Sequence, residues 1–215
     1  MDPSISDSDE ALMRRFQEGD EDAFRLLFDR YAPRLVNFCA RYQGSLEEGE
    51  DLAQEALVRL YHHRDRYDAR RPFKPWLFTI AARLCANRYR DQRRHRIVSL
   101  FAPPKEGEDQ PALIDRLEDF SAPSPEDASE RKEFLKLVES RLAELPDEQR
   151  AALLLLHAEQ MSYEEIAAAL ESSVGAVKSL IFRARKQLAQ YFSVTFPLTR
   201  GTEGRRERKN TGEKV

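Results

Sequence analysis

Residues 162–188 read SYEEIAAALESSVGAVKSLIFRARKQL, and the spacing within this stretch decides the fold of the second half of the chain. Ser162 followed by Glu165 is the pattern of a capping box, which predicts the start of a short helix. Three residues, 171–173, then separate this helix from a longer one. Two helices joined by so short a turn are typical of a helix-turn-helix.

The longer helix has two chemically different sides. At 100° per residue, Val177, Ile181 and Ala184 face inward, whereas the opposite side is polar. Residues 174–192 contain four basic residues and no acid, and arginines on such a helix can donate in pairs to guanine in a major groove. A helical hairpin with an incidental basic face is the alternative. The candidate DNA-contacting residues are Ser173, Lys178, Ser179, Phe182, Arg183 and Lys186.

The residues before this motif complete a small helical domain. Apolar residues at helical spacing predict a helix that ends at Pro146, and Asp147 is expected to cap the next helix, whose run LLLLHA is buried on most sides. We therefore predict a second domain over residues 131–192.

Residues 70–96 combine positive charge with aromatic side chains. They hold nine Lys or Arg against the single acid Asp91, although the whole chain carries a formal net charge of −3. Basic residues interleaved with aromatic ones can bind phosphates and stack nucleobases. After Pro75 the pattern is helical, and Trp76 and Thr79 begin its cationic side. Trp76 has two interpretations, a base-stacking ring or a core side chain. The cationic side also includes Arg83, Asn87, Arg90 and Arg94.

The rest of the first block, residues 9–96, is predicted to be helical as well. A first helix is expected at about 9–18, and Asp20 should cap a second helix whose buried stripe includes Phe28. Pro33 is expected to open a further helical stretch.

A third helix is predicted at about 46–63, capped by Ser45. Its outward side mixes charged residues with one apolar residue, and a solvated face is the simplest interpretation. No Glu-x-x-His pattern accompanies its carboxylates, so we expect no metal site, cofactor or catalytic residue here. The outward residues are Asp51, Gln54, Glu55, Val58 and His62.

The segments between and beyond the two blocks differ in composition. Residues 97–130 hold five of the eleven prolines and many acids, which predicts a flexible acidic linker. The pattern does not decide whether residues 112–120 form a helix. Residues 1–8 and the tail 193–215 are expected to be disordered.

Composition narrows the class of protein. No apolar run approaches the ~20 residues of a membrane span, and the acidic N-terminus lacks a secretory signal. Cys39 and Cys85 are too few for a disulfide framework and are expected to be buried thiols. We predict an all-α cytoplasmic protein of two small helical domains joined by the linker.

Four stretches, taken together, resemble bacterial sigma factors of the extracytoplasmic-function (ECF) class. They are GDEDAFRLLFDRY at 19–31, EDLAQEALVRLY at 50–61, FKPWLFTIA at 73–81 and LPDEQRAALLLLHAEQMSYEEIAAALESSVGAVKSLIFRARKQL at 145–188. The resemblance implies two promoter-reading domains, called regions 2 and 4. It also implies an anti-sigma protein as a partner.

The resemblance implies roles for particular residues. Asp51, Gln54, Glu55 and Val58 would dock on the clamp coiled coil of the largest subunit of core RNA polymerase. The basic aromatic stretch would bind the non-template strand of the minus-ten element, and the loop 65–71 would hold an extruded base. The polar side of the helix from Val174 would contact the minus-thirty-five element as duplex. The implied minus-ten residues are Arg70, Arg71, Phe73, Lys74, Trp76, Thr79, Arg83, Asn87, Arg90 and Arg94.

The function expected from this resemblance is a non-enzymatic initiation factor that binds core polymerase, recognises and melts promoter DNA and starts transcription. The chain departs from the family pattern at Ala82, Arg83 and Asn87, where family members often have Arg-Asn and a later Asp. The base preference of the family is therefore not transferred to these positions. The alternative is a helix-turn-helix regulator whose first block senses a ligand or dimerises. That protein would bind duplex DNA without polymerase.

Overall fold

The computed structural model describes the backbone of residues 8–99 and 137–195, and the side chains of residues 8–92 and 137–193. The described residues form eight α-helices and one short 3-10 turn without any strand, which confirms the all-α prediction. The first block contains α1 (Asp9–Gln17), α2 (Glu21–Gln43), α3 (Leu46–His62), the turn Arg64–Arg66 and α4 (Phe73–Ser99). The second contains α5 (137–144), α6 (Asp147–His157), α7 (Tyr163–Ala169) and α8 (Val174–Thr195).

Two helices extend slightly past the predicted ends of the two blocks. Helix α4 continues through Ser99, three residues into the predicted linker, and α8 continues to Thr195, three residues into the predicted tail. Residues 1–7, 100–136 and 196–215 lie outside the described residues, and so do the predictions made for them, including that for residues 112–120.

Several helices begin where the sequence supplies a capping side chain. Asp20, Ser45 and Ser162 each accept a hydrogen bond from the backbone of the following turn, as predicted. The prediction for Asp147 is wrong, because Pro146 is the N-cap of α6 and no side chain caps that helix. The fixed φ of proline already holds the chain in the extended conformation that precedes a helix.

Helix α2 runs without interruption through Pro33, where the sequence predicted a new stretch. Pro33 is exposed, whereas Tyr31 before it and Leu35 after it are buried in the same core. Tertiary packing of both halves therefore holds one helix despite the missing N–H of the proline. The helix ends at Gly44, whose φ of +75° lies in the left-handed region that glycine adopts readily.

The first block packs around α2, and α3 approaches α2 most closely at Gly49. A Cβ atom built on Gly49 would lie 2.5 Å from the Cα atom of Ala40, so only glycine permits this approach. Cys39 and Cys85 are both free thiols with fully buried side chains, as predicted. Burial and the neighbouring Cys39 thiol raise the pKa of Cys85, which makes Cys85 a poor nucleophile.

The two blocks share one continuous apolar core, and their contact is centred on Arg150 of α6. The Arg150 side chain is fully buried and donates to the backbone carbonyls of Leu142 (2.9 Å) and Leu145 (3.1 Å) in its own block and of Tyr42 (3.1 Å) in the other. Its guanidinium carbon lies 3.9 Å from the ring centroid of Tyr89 on α4. These hydrogen bonds satisfy a buried cation that has no carboxylate partner among the described contacts.

Candidate nucleic-acid and polymerase interfaces

The outward side of α3 is exposed to solvent as the sequence predicted. Asp51, Gln54 and Val58 are exposed, and Val58 leaves 47% of its surface accessible. Glu55 is half-buried and accepts a hydrogen bond of 2.6 Å from Arg59, one turn later on the same helix. The surface therefore presents acidic groups around an apolar side chain.

An apolar groove of about 490 Å³ lies beside this surface, between α2 and α3. The expectation that Phe28 is buried is wrong, because 43% of its surface is accessible where it lines the groove. A repeat of four residues places Phe24, Phe28 and Ala32 in one row along α2, and the sequence could not show that α3 stops short of covering this row. The groove is lined by Phe24, Phe28, Ala32, Val36, Glu50, Ala53, Gln54, Leu57, Val58 and Tyr61.

The loop between α3 and α4 is held at both ends by α1. The Gln17 side-chain amide donates to the backbone carbonyls of Arg64 (2.7 Å) and Tyr67 (2.9 Å), and the Glu10 carboxylate accepts from the Phe73 backbone N–H (2.9 Å). The sequence indicates neither residue as part of the site, because no local pattern links Gln17 or Glu10 to a loop 47 to 63 residues away.

Within this loop, Asp68 and Arg70 form a paired ion contact. The Arg70 guanidinium donates to both carboxylate oxygens of Asp68 at 2.9 Å, and it lowers the pKa of that carboxyl to about 2. Arg70 and Arg71 are exposed, and the Tyr67 hydroxyl donates to the Arg71 carbonyl. The loop is thus an ordered, partly cationic surface.

At the start of α4, one predicted DNA-binding residue is buried. The Phe73 side chain is fully enclosed, with its ring centroid 5.2 Å from that of Tyr31 and 5.7 Å from that of Tyr67. Its proposed stacking on a base is therefore wrong, because the ring already packs in the core. Trp76 is half-buried, and its ring centroid lies 5.1 Å from that of Tyr67.

The remaining residues of the α4 surface are placed as follows. Thr79 is half-buried and donates to the Pro75 carbonyl (2.9 Å), whereas Asn87 and Arg90 are exposed and bonded to one another. The Arg94 side chain lies outside the described side chains.

Two predicted α4 residues contact the second block directly. Lys74 Nζ donates to the Glu159 carbonyl (2.6 Å), and Arg83 forms an ion pair with Glu171 in the turn between α7 and α8. The α4 surface is therefore partly covered by the second block.

The predicted DNA-contacting side of α8 is open. Lys178, Ser179, Phe182, Arg183 and Lys186 are all exposed, and Phe182 leaves 68% of its surface accessible. On the inward side Val177, Ile181 and Ala184 are buried, as the helical projection predicted. Ser173 is the residue before α8, and its hydroxyl accepts a hydrogen bond from the Ala176 N–H (3.2 Å). The turn before α8 spans residues 170–173, one residue more than predicted.

Two features are absent from the residues that the structure describes. No group of three or more His, Cys, Asp or Glu side chains is arranged to hold a metal ion there. None of the described helices is both long enough and apolar enough to pass through a membrane.

The chain was compared with known protein families, curated proteins and solved structures. The Sigma-70 region 2 family matches residues 27–95 and the Sigma-70 region 4 family matches residues 135–188. The ECF RNA polymerase sigma factor SigW of Bacillus subtilis is 31% identical, over 82% of this chain and 92% of that protein. The ECF RNA polymerase sigma-E factor of Escherichia coli is 32% identical, over 84% of this chain and 92% of that protein.

Two solved structures share the fold. CnrH in complex with the cytosolic domain of CnrY has a TM-score of 0.61 and 24% identity, covering 87% of this chain and 99% of that one. RpoE in complex with the anti-sigma factor NepR from Bartonella quintana has a TM-score of 0.57 and 24% identity, covering 80% of this chain and 97% of that one. Both family matches fall on the two helical blocks in order, and the full-length relatives agree with them, so the chain belongs to the ECF family of RNA polymerase sigma factors.

Proposed function

We propose that this protein is an initiation factor without catalytic residues of its own, which binds core RNA polymerase and directs it to promoters. The observation that carries the proposal is that both Sigma-70 region families match, in order, two helical blocks. Each block has an exposed polar helix face suited to a macromolecular partner. The protein would act in the cytoplasm, where RNA polymerase works.

The polymerase contact would be the exposed side of α3 together with the neighbouring groove. Asp51 and Glu55 offer negative charge to a basic partner, and Val58 with Phe28 offers an apolar strip beside it. An amphipathic helix that places its apolar face in a groove is a common mode of recognition. One helix of the polymerase clamp coiled coil fits this chemistry.

The promoter contacts would be divided between two helices. The loop residues Arg70 and Arg71 and the polar side of α4 would bind the melted strand of the minus-ten element, with Trp76 near the point of strand separation. The exposed side of α8, including Arg183, would contact the minus-thirty-five element as duplex.

These assignments require the two blocks to separate. The two promoter elements lie about 25 base pairs apart, which is roughly 85 Å at 3.4 Å per base pair. In this structure Arg83 of the minus-ten surface contacts Glu171, two residues before the proposed minus-thirty-five surface begins at Ser173. A chain closed in this way cannot reach both elements, so the two blocks would have to separate when the protein binds a promoter.

A protein that holds the closed arrangement would inhibit initiation. The two similar folds named above come from a complex with the cytosolic domain of CnrY and a complex with the anti-sigma factor NepR. We infer that this chain, too, has an anti-sigma partner.

Reconstituted transcription tests the proposal. The purified chain is mixed with core polymerase and a library of genomic fragments, and RNA 5′ ends are sequenced. Defined start sites that depend on the chain are the expected result. Tight binding to duplex DNA in the absence of polymerase, with no dependent start sites, would instead identify a helix-turn-helix regulator.

A further inference from the structure

Two cations lie at the junction of the two blocks: Lys74, which is one of the predicted minus-ten residues, and Arg34, which is not. Arg34 of α2 donates to one carboxylate oxygen of Glu159 through both Nε (3.0 Å) and Nη2 (2.7 Å). Lys74 of α4 donates to the backbone carbonyl of the same residue. Glu159 is one of two charged residues that are buried among the described side chains, and only 3% of its surface is accessible.

The two cations repel one another, and nearby acids offset that repulsion. Burial and the nearby Arg34 both lower the pKa of Lys74, whereas Glu159, Glu165 and Asp9 oppose that change. Of these acids, Glu159 is the one that bonds to both cations, through its carboxylate to Arg34 and through its backbone carbonyl to Lys74. In the closed chain the second block thus supplies the bridging group.

Burial works against an ionised carboxylate at this position. Burial raises the pKa of Glu159, and this effect exceeds the opposite effects of Arg34 and Lys74. The carboxylate therefore gives up more hydration than its two partners return. A phosphodiester is a much stronger acid, stays ionised, and can use the paired donors of an arginine.

A second acidic side chain of the same block occupies another cation of the proposed strand-binding surface. Glu171 pairs with Arg83, and both side chains are 62% accessible. The second block thus places one carboxylate against each of two basic positions of the first block. This is the charge pattern that a nucleic-acid backbone would present.

We propose that Arg34 and Lys74 form a binding site for a backbone phosphate of the melted promoter strand, and that Glu159 occupies this site while the chain is closed. The inference rests on the proposed function, and it adds Arg34 as a DNA-binding residue on α2. Closure and strand binding then compete, since both need the same two cations.

The test measures binding of the full-length chain to a fluorescein-labelled single-stranded oligonucleotide of mixed sequence over a series of salt concentrations. Glu159→Lys places a third cation at the site and favours the open chain. Its control, Glu164→Lys, makes the same charge change at an exposed position of α7. We expect Glu159→Lys to bind the oligonucleotide about tenfold more tightly than Glu164→Lys does, a difference of ~1.4 kcal/mol. Equal affinities would overturn the competition between closure and strand binding.

The contribution of Arg34 is tested in the Glu159→Lys background. Arg34→Gln should reduce the slope of log affinity against log salt by about 0.7, the value for one phosphate contact on a single strand. Arg25→Gln is the matched control. Arg25 is exposed, and it lies nine residues before Arg34 and therefore on the opposite side of α2. Equal slopes for the two variants would overturn the assignment of Arg34.

Two further measurements separate this proposal from a site for free phosphate and from a failure of the proposed function. In the first, inorganic phosphate is added to Glu159→Lys at constant ionic strength and the melting temperature is measured. If phosphate raises the melting temperature while Arg34→Gln leaves DNA binding unchanged, the site binds free phosphate and the proposal is wrong. Transcription by the unmodified chain with core polymerase is measured in parallel. Its failure would refute the proposed function, whereas its success with a failed Arg34 test would refute this inference alone.

Discussion

The surfaces proposed to bind partners fall into two groups, those open to solvent and one that the chain itself covers. The outward side of α8 is exposed, and so is that of α3 apart from the half-buried Glu55. The α4 surface is different, because Lys74 and Arg83 are engaged by residues of the second block. Polymerase and duplex DNA could therefore bind this chain as it stands, whereas a melted strand must first displace the second block.

The largest expected effect concerns the open surface of α3. Asp51→Arg should weaken binding to core polymerase by about a hundredfold, because a like charge placed in a complementary interface costs several kcal/mol. The fold should be unchanged, since Asp51 is exposed. Binding is measured by titration of labelled chain with core enzyme.

Glu18→Arg is the control for this variant, because it makes the same charge change at an exposed position after α1. If the two variants bind core polymerase with equal affinity, the charged side of α3 is not part of the interface.

The second prediction concerns the other open surface, α8. Arg183→Ala should cost about 1 to 3 kcal/mol of binding at a matching promoter if Arg183 contacts a base edge. Arg185→Ala is the matched control, because Arg185 lies two residues further on a different side of the helix and contacts His157. Both are measured as holoenzyme affinity for promoters obtained from the transcription experiment. A loss that is the same for every DNA sequence would show a phosphate contact instead.

The third prediction concerns the loop beside the covered surface. Gln17→Ala removes two hydrogen bonds that hold the loop, at about 1 kcal/mol each. We expect it to slow promoter opening on duplex templates about tenfold and to have little effect on templates that are already melted. The readout is the rate of open-complex formation on the two templates.

Gln43→Ala is the control for Gln17→Ala. The Gln43 amide likewise donates to a backbone carbonyl, but this carbonyl belongs to Cys85 in the middle of α4 (3.0 Å) and not to the loop. A similar slowing by both variants on both templates would indicate lost stability and no special role of α1 in positioning the loop.

The difference between open and covered surfaces also shows which features could be predicted from the sequence. Helix faces and caps follow from neighbouring residues, so Val177 and Arg183 were correctly assigned to opposite sides of α8 and Ser45 to the start of α3. Contacts between distant residues leave no such pattern. Glu159 and Arg34 are 125 positions apart, and nothing local predicts that they meet.

Phe73 shows the same limit at a single residue. Its position among basic residues favoured an exposed ring, but Tyr31, from another helix, encloses it in the core. Aromatic residues beside basic ones are compatible with both outcomes, and only the packing of α2 against α4 decides between them. The same argument explains why Trp76, half-buried against Tyr67, could not be assigned from sequence.

The smallest predicted effect is a pH dependence of the covered surface. Burial raises the pKa of Glu159 above its ordinary value, so the folded closed chain binds this proton more readily than the unfolded chain does. By linkage, protonation of Glu159 stabilises the folded chain as the pH falls through the raised pKa, and this stabilisation is lost as the pH rises through it. Glu159→Gln imitates the protonated side chain and removes the titration. The difference in denaturation midpoint between Glu159→Gln and the unmodified chain should therefore shrink as the pH is lowered from 7 towards 5, and a difference that grows over this range would show that Arg34 and Lys74 outweigh burial.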